Sequence, residues 1–201
     1  MTSELLEPLA LVAGLAWASG LRIYAVVFFL GLASHFAIVD LPGNLDALAH
    51  PAVLTVSGLL FLLEFFADKI PYVDSAWDAL NTFVRAPGAA LLGALAVADG
   101  SQGLMIASAL LGGAIAGSTH VAKAGSRAAI NLSPEPVSNW LASLTEDGMA
   151  FGILALALTH PLLLLAGLAL FLLLLIWLLP KLFRLARGAM RAGFARLGAQ
   201  L

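Results

Sequence analysis

The residues of this chain best suited to chemistry are ionisable side chains set inside apolar sequence. Arg22 has largely apolar residues on both sides, and Glu64 is embedded in Leu-Leu-Phe-Leu-Leu-Glu-Phe-Phe. Asp68 follows Glu64 by four residues and shares its helical face. His120, Lys123, Arg127 and Asn131 are spaced 3, 4 and 4, one polar stripe on a continuous helix. Glu146 and Asp147 complete the set. Within a bilayer each charge costs about 2.5–3.5 kcal/mol by insertion scales, so it persists only where it pairs or faces water. These residues therefore predict a path for a small polar or ionic solute. The cations would hold an anionic group or neutralise the carboxylates, and Glu64 or Glu146 would exchange a proton or a cation. Arg22 also fits a side chain that snorkels to the interface.

Neighbouring residues have two readings each. Asp74 and Asp78 are four apart, with Arg85 seven residues further on. They fit a polar loop with solvated charges, or an amphipathic or re-entrant helix lining the same region. Between Asn131 and Asn139, Pro134 and Pro136 interrupt any helix. That stretch is a plain cytoplasmic loop or a re-entrant one lining a cavity. Ser138 or Asn139 is placed to cap the helix that follows. There is no His-Glu-x-x-His, Gly-x-Ser-x-Gly or Walker loop, and His35, His50, His120 and His160 have no ligand spacing. No cofactor or metal is expected, and an enzyme is the less favoured class.

Composition sets the scaffold that must position these groups. The 201 residues are 61% hydrophobic and 11% charged, without cysteine, and the mean hydropathy is +0.99. Soluble domains are about 45–50% apolar and about 25% charged. The expected fold is an all-α polytopic transmembrane bundle of about six spans: 5–37, 51–67, 80–98, 103–126, 139–159 and 161–180. The first stretch is long for one straight span; it is tilted, broken at Gly20, or two short helices. The acidic start, with Glu4 and Glu7, does not resemble a leader's basic region, so the first span is expected to be retained. Small residues from Gly112 to Gly117 allow close helix approach, within the chain or in a homo-oligomer.

Charge placement predicts orientation. The connections at 38–50, 98–102 and 159–161 lack Lys and Arg, while those at 68–87 and 119–138 and the tail carry all of them except Arg22. This alternation fits six crossings with both termini in the cytoplasm, or an outside N-terminus if the first stretch is two crossings. Residues 1–180 form one membrane domain, with possible halves 1–100 and 101–180, and 181–201 a basic amphipathic helix. In that helix Lys181, Arg184, Arg187 and Arg191 share a face suited to anionic lipids. A net charge of −2 gives no global field for nucleic acid. Ala18-Ser-Gly20-Leu-Arg22 is echoed by Lys123-Ala-Gly125-Ser-Arg127, as in a 3+3 inverted repeat.

Five strings together resemble a known family. They are Gly20-Leu-Arg22, Glu64-Phe-Phe-Ala-Asp68-Lys69-Ile-Pro71-Tyr-Val-Asp74, Thr119 to Arg127, Asn131-Leu-Ser133-Pro134-Glu135-Pro136-Val-Ser138-Asn139, and Glu146-Asp147. The family is a small bacterial membrane family catalogued as domain of unknown function 4126. The resemblance covers nearly all of the chain before the basic tail and implies a multi-span inner-membrane protein. It supplies no activity. The residues leave three functions open: a transporter- or channel-like protein, a membrane-embedded lipid handler or enzyme acting on a lipid phosphate, and a non-catalytic scaffold subunit.

Overall fold

The computed structural model describes residues 2–131 and 136–198, with side chains described over 6–131, 137–178 and 180–181. Among these residues every regular element is helical. The order is α1 (Thr2–His35), a short 3-10 turn (Leu45–Ala49), α2 (Pro51–Ala67), α3 (Val73–Ala96), α4 (Gln102–Ile130), α5 (Pro136–Thr159) and α6 (Pro161–Gly198). Five helices are long and apolar enough to cross a membrane. The remaining one, α2, has 17 residues, which at 1.5 Å per residue spans about 25 Å against a hydrocarbon core of about 30 Å. Residues 1–165 form one compact unit and residues 166–201 a second.

Local chemistry sets the boundaries. Pro51 and Pro161 open α2 and α6, where a missing N–H costs nothing. His50 accepts from the Ala52 N–H, and Ser101 caps α4 through the Leu104 N–H. α1 closes on Ala37, which is left-handed at φ +54°, with Ile38 N–H reaching back to the Ala33 carbonyl. α3 starts at Val73 rather than at 80, directly after Tyr72 at φ +68°. α5 starts at Pro136, so Asn139 lies inside its first turn and is not the residue that caps it. α6 runs through Pro180 without stopping. The faces of Arg184, Arg187 and Arg191 lie outside the described side chains, and residues 132–135, with the expected break at Pro134, lie outside the described residues.

The helix α1 is the centre of the first unit and packs against α2, α3, α4 and α5. Its first half is surrounded and apolar on all sides, and Val12, Leu15, Ala16 and Val26 are completely buried. The outward faces are also apolar: Leu59, Leu62 and Phe66 on α2 and Phe83 on α3 are exposed. An apolar outside around a polar inside is the arrangement that lipid, not water, stabilises. Small residues bring α3 and α4 together. A Cβ on Gly112 would lie 2.7 Å from the Ala89 carbonyl, and one on Gly93 2.7 Å from that of Ser108. The glycine stripe is thus used inside the chain.

Candidate functional site: a buried ionic cluster

The first span is broken at Arg22 itself, two residues beyond Gly20, with φ −147° and ψ 71° inside an otherwise helical run. A break frees backbone carbonyls that lipid cannot satisfy. Two of them are met by cations: Arg85 Nη1 donates to the Gly20 carbonyl at 3.3 Å, and Lys123 Nζ to that of Leu21 at 3.3 Å. The same break aims Arg22 inward, where it is 1% exposed. Its guanidinium pairs with Asp68, reaches Asp147 at 2.7 Å, and donates to Ser143 Oγ at 3.0 Å. Arg22 does not snorkel.

The polar faces of α3 and α4 form an antiparallel ladder. Asp74, Asp78, Asn81 and Arg85 are buried on one side, and His120, Lys123, Arg127 and Asn131 on the other. Asn131 Nδ2 donates to Asp74 Oδ1 at 2.8 Å, Lys123 Nζ lies 3.3 Å from Asp78 Oδ1, and Arg85 Nη1 meets His120 Nδ1 at 2.7 Å. Asp74 and Asp78 are therefore helical and buried, not solvated loop charges. From α5, Asn139, Ser143 and Glu146 face the same core. Arg127 binds Glu146 through two parallel hydrogen bonds of 2.9 Å, the strong geometry for this pair, and donates to Asn139 Oδ1 at 3.2 Å.

Asp68 is the convergence point of the cations. Its Oδ2 accepts from Arg22 and, at 2.8 Å, from Lys123, with Arg127 Nη2 at 3.7 Å. Burial pushes the Asp68 carboxyl up, but Lys123 and Arg22 outweigh it and hold it below the ordinary carboxylate range. Lys69 sits at the edge, 3.0 Å from the centre of the Phe65 ring and 3.2 Å from Ser143 Oγ. Burial lowers its amine, only partly opposed by Asp147.

All the sequence-predicted residues, Arg22, Glu64, Asp68, His120, Lys123, Arg127, Asn131, Glu146 and Asp147, meet in this one cluster. Lys69, Asn81, Asn139 and Ser143 belong to it without having been singled out as pathway residues, and Asp74, Asp78 and Arg85 join them. All five Lys and Arg residues ahead of position 181 are buried here: Arg22, Lys69, Arg85, Lys123 and Arg127. Among the described residues they face six carboxylates, Glu64, Asp68, Asp74, Asp78, Glu146 and Asp147, which leaves one formal negative charge in excess in that set with His120 neutral. Beside α2 and α3, Arg85 stands between Glu64, at 2.6 Å, and Asp78, at 3.1 Å, and Asp78 also has Lys123 at 3.3 Å. Glu64 Oε2, Asp78 Oδ2 and Asn81 Oδ1 are buried there and accept no hydrogen bond from the described residues. The other histidines lie apart: His35 is exposed at the end of α1, and His50 and His160 sit at helix starts.

A helical bundle with membrane-length spans and an ionic core defines a polytopic membrane protein. The sequence profile of the family described as Domain of unknown function (DUF4126) matches residues 9–181, and the chain belongs to that family. No curated protein and no solved structure matches it.

Proposed function

We propose that this chain is a small transporter- or channel-like protein of the bacterial inner membrane, moving a small polar or ionic solute through the cluster around Arg22. The observation that carries the reading is the break of α1 at Arg22, with the freed Gly20 and Leu21 carbonyls held by cations from α3 and α4. Discontinuous helices that bring backbone groups and charges to mid-membrane are the common way secondary transporters build a site. A merely structural core gains little from such an arrangement, since well-packed apolar replacements of buried ion pairs are often neutral or stabilising by about 1–4 kcal/mol. The single carboxylate in excess favours a proton or a cation as the coupled species. Both termini face the cytoplasm in this proposal, the basic tail binds anionic lipids, and the two Gly-x-Arg strings mark a 3+3 inverted plan. Purified protein in liposomes, loaded with a pH-sensitive dye and driven by a potassium diffusion potential, is expected to conduct protons or a test ion above empty vesicles. Glu64→Gln and Arg22→Ala should abolish that flux; unchanged flux in both would remove these residues from the path.

A groove favours a second reading. Ile23, Tyr24 and Val27 on α1 and Val53, Val56 and Leu60 on α2 line an open apolar cleft of about 420 Å³, next in sequence to Arg22. An apolar cleft suits a lipid chain, and in this reading the phosphate would be held by Lys123 and Arg127. Native mass spectrometry tests it: a co-purified phospholipid lost in Lys123→Ala/Arg127→Ala would support lipid handling, and its absence from the wild type would remove it.

A further inference from the structure

The geometry points to His120 as the proton-binding group of the cluster, taking a proton at Nδ1 by displacing the Arg85 guanidinium. This rests on the transport reading above and identifies the coupled species as a proton and its site as a histidine, not a carboxylate. The argument begins with hydrogen-bond roles. A guanidinium only donates, so Arg85 Nη1, 2.7 Å from Nδ1, fixes that nitrogen as an acceptor. The ring proton then sits on Nε2 and is donated to Thr82 Oγ1 at 2.9 Å, while the Thr82 hydroxyl donates its own proton to the Asp78 carbonyl at 3.1 Å. His120 is therefore held neutral in one tautomer by three named contacts, and its free lone pair is covered by a cation.

The charges around it supply the reason to move. Around His120 and the Arg85 that covers it are Asp78 from α3, Lys123 from α4 and, on the far side of Arg85, Glu64 from α2. From α1 come the Gly20 carbonyl and Tyr24, which lies in the field of Glu64 and Arg85. Lys123 balances one of the two carboxylates and Arg85 the other, so the one negative charge in excess belongs to the described cluster as a whole, and a proton on His120 cancels it. The step balances simply. Hydronium gives one proton to the Nδ1 lone pair and leaves as water, and Arg85 keeps all its protons. Arg85 withdraws from Nδ1 toward the Glu64 and Asp78 oxygens that accept nothing in this structure, Oε2 and Oδ2. Withdrawal also releases the Gly20 carbonyl at the α1 break, so proton uptake and the backbone of the site change together.

The four histidines make the test direct. Nitrogen-15 histidine NMR on full-length protein in liposomes distinguishes both neutral tautomers from imidazolium. His120 is assigned by its loss in His120→Gln, or by subtraction with His35→Gln, His50→Gln and His160→Gln if that variant does not fold. The expected result is the Nε2–H form at pH 8 and a single step to imidazolium on acidification. Arg85→Lys, which cannot span Glu64 and Nδ1 together, should move that step up by at least one pH unit, a tenfold easier protonation. A ring that stays neutral down to pH 4, a wild-type Nδ1–H tautomer, or a step unmoved in Arg85→Lys would overturn the inference. Flux measured on the same vesicles separates the two claims. A titrating His120 without flux supports the proton site and defeats the transport reading. Flux whose pH dependence survives His120→Gln defeats the proton site alone.

Discussion

Replacing Asp68 by asparagine removes the one anion that three cations share. Its Oδ2 accepts from Arg22 and from Lys123 at 2.8 Å, with Arg127 Nη2 at 3.7 Å, and the carboxylate is fully buried. Removing one partner of a buried pair costs about 3–5 kcal/mol because the other charge stays desolvated. Asp68→Asn strands a shared partner of three cations, so the loss belongs at the upper end of that range. The pair variant Asp68→Asn/Lys123→Met deletes one stranded cation and should recover about 1–3 kcal/mol, the coupling usual for residues in one charge network. The assay is denaturant unfolding in dodecyl maltoside micelles, followed by fluorescence of the four tryptophans. A loss below about 1 kcal/mol for Asp68→Asn would refute the reasoning, since an exposed pair is worth only that much. So would a double variant no more stable than the sum of its two single losses.

Three further outcomes follow from particular contacts. Gly20→Ala places a Cβ 2.5 Å from Thr119 Cβ and 2.7 Å from the Ala116 carbonyl, so α1 and α4 must part at a cost of about 1–3 kcal/mol. Gly125→Ala meets nothing within 4 Å and should be neutral or stabilising by up to about 1 kcal/mol through helix propensity; unfolding curves of the two variants check the contrast. At Tyr72, exposed and at φ +68°, glycine should be tolerated while valine costs about 1–2 kcal/mol, because only the backbone conformation is at stake. The folded Asp68 carboxyl titrates below its unfolded value. Its contribution is thus complete at neutral pH and is lost as pH falls from about 4, the unfolded value, through the folded one. Stability measured between pH 3 and 6 should drop on acidification in the wild type and drop less in Asp68→Asn.

The helices and most of the site were legible because two periodicities agree. The spacing 120, 123, 127, 131 forms a stripe, and apolar length sets the spans, so α4 and its buried face follow from the sequence. The matching stripe 74, 78, 81, 85 was equally readable, but Asp74 and Asp78 also resemble loop charges. What decides between the readings is the partner: α3 extends back to Val73 because Asp74 finds Asn131 and Asp78 finds Lys123 across the α3–α4 contact. The spacing 139, 143, 146 on α5 could have identified Asn139 and Ser143, yet neutral side chains carry no charge signal. The break at Arg22 rather than at Gly20 was not readable locally. Gly20 is small because Ala116 and Thr119 press against it, while the backbone opens where Arg85 and Lys123 can take up the carbonyls.

The central claim is that the cluster is a route reached from water, not a sealed structural core. The chain lacks cysteine, so a single introduced thiol reports cleanly. Ser143 is fully buried and bonded to Arg22 and Lys69, whereas Leu110 faces outward on α4. Thiol reagents attack the thiolate, which forms only where water reaches. With a charged, membrane-impermeant reagent applied to liposomes, Ser143→Cys should be modified at least tenfold faster than Leu110→Cys. Equal inertness of the two positions would contradict the account.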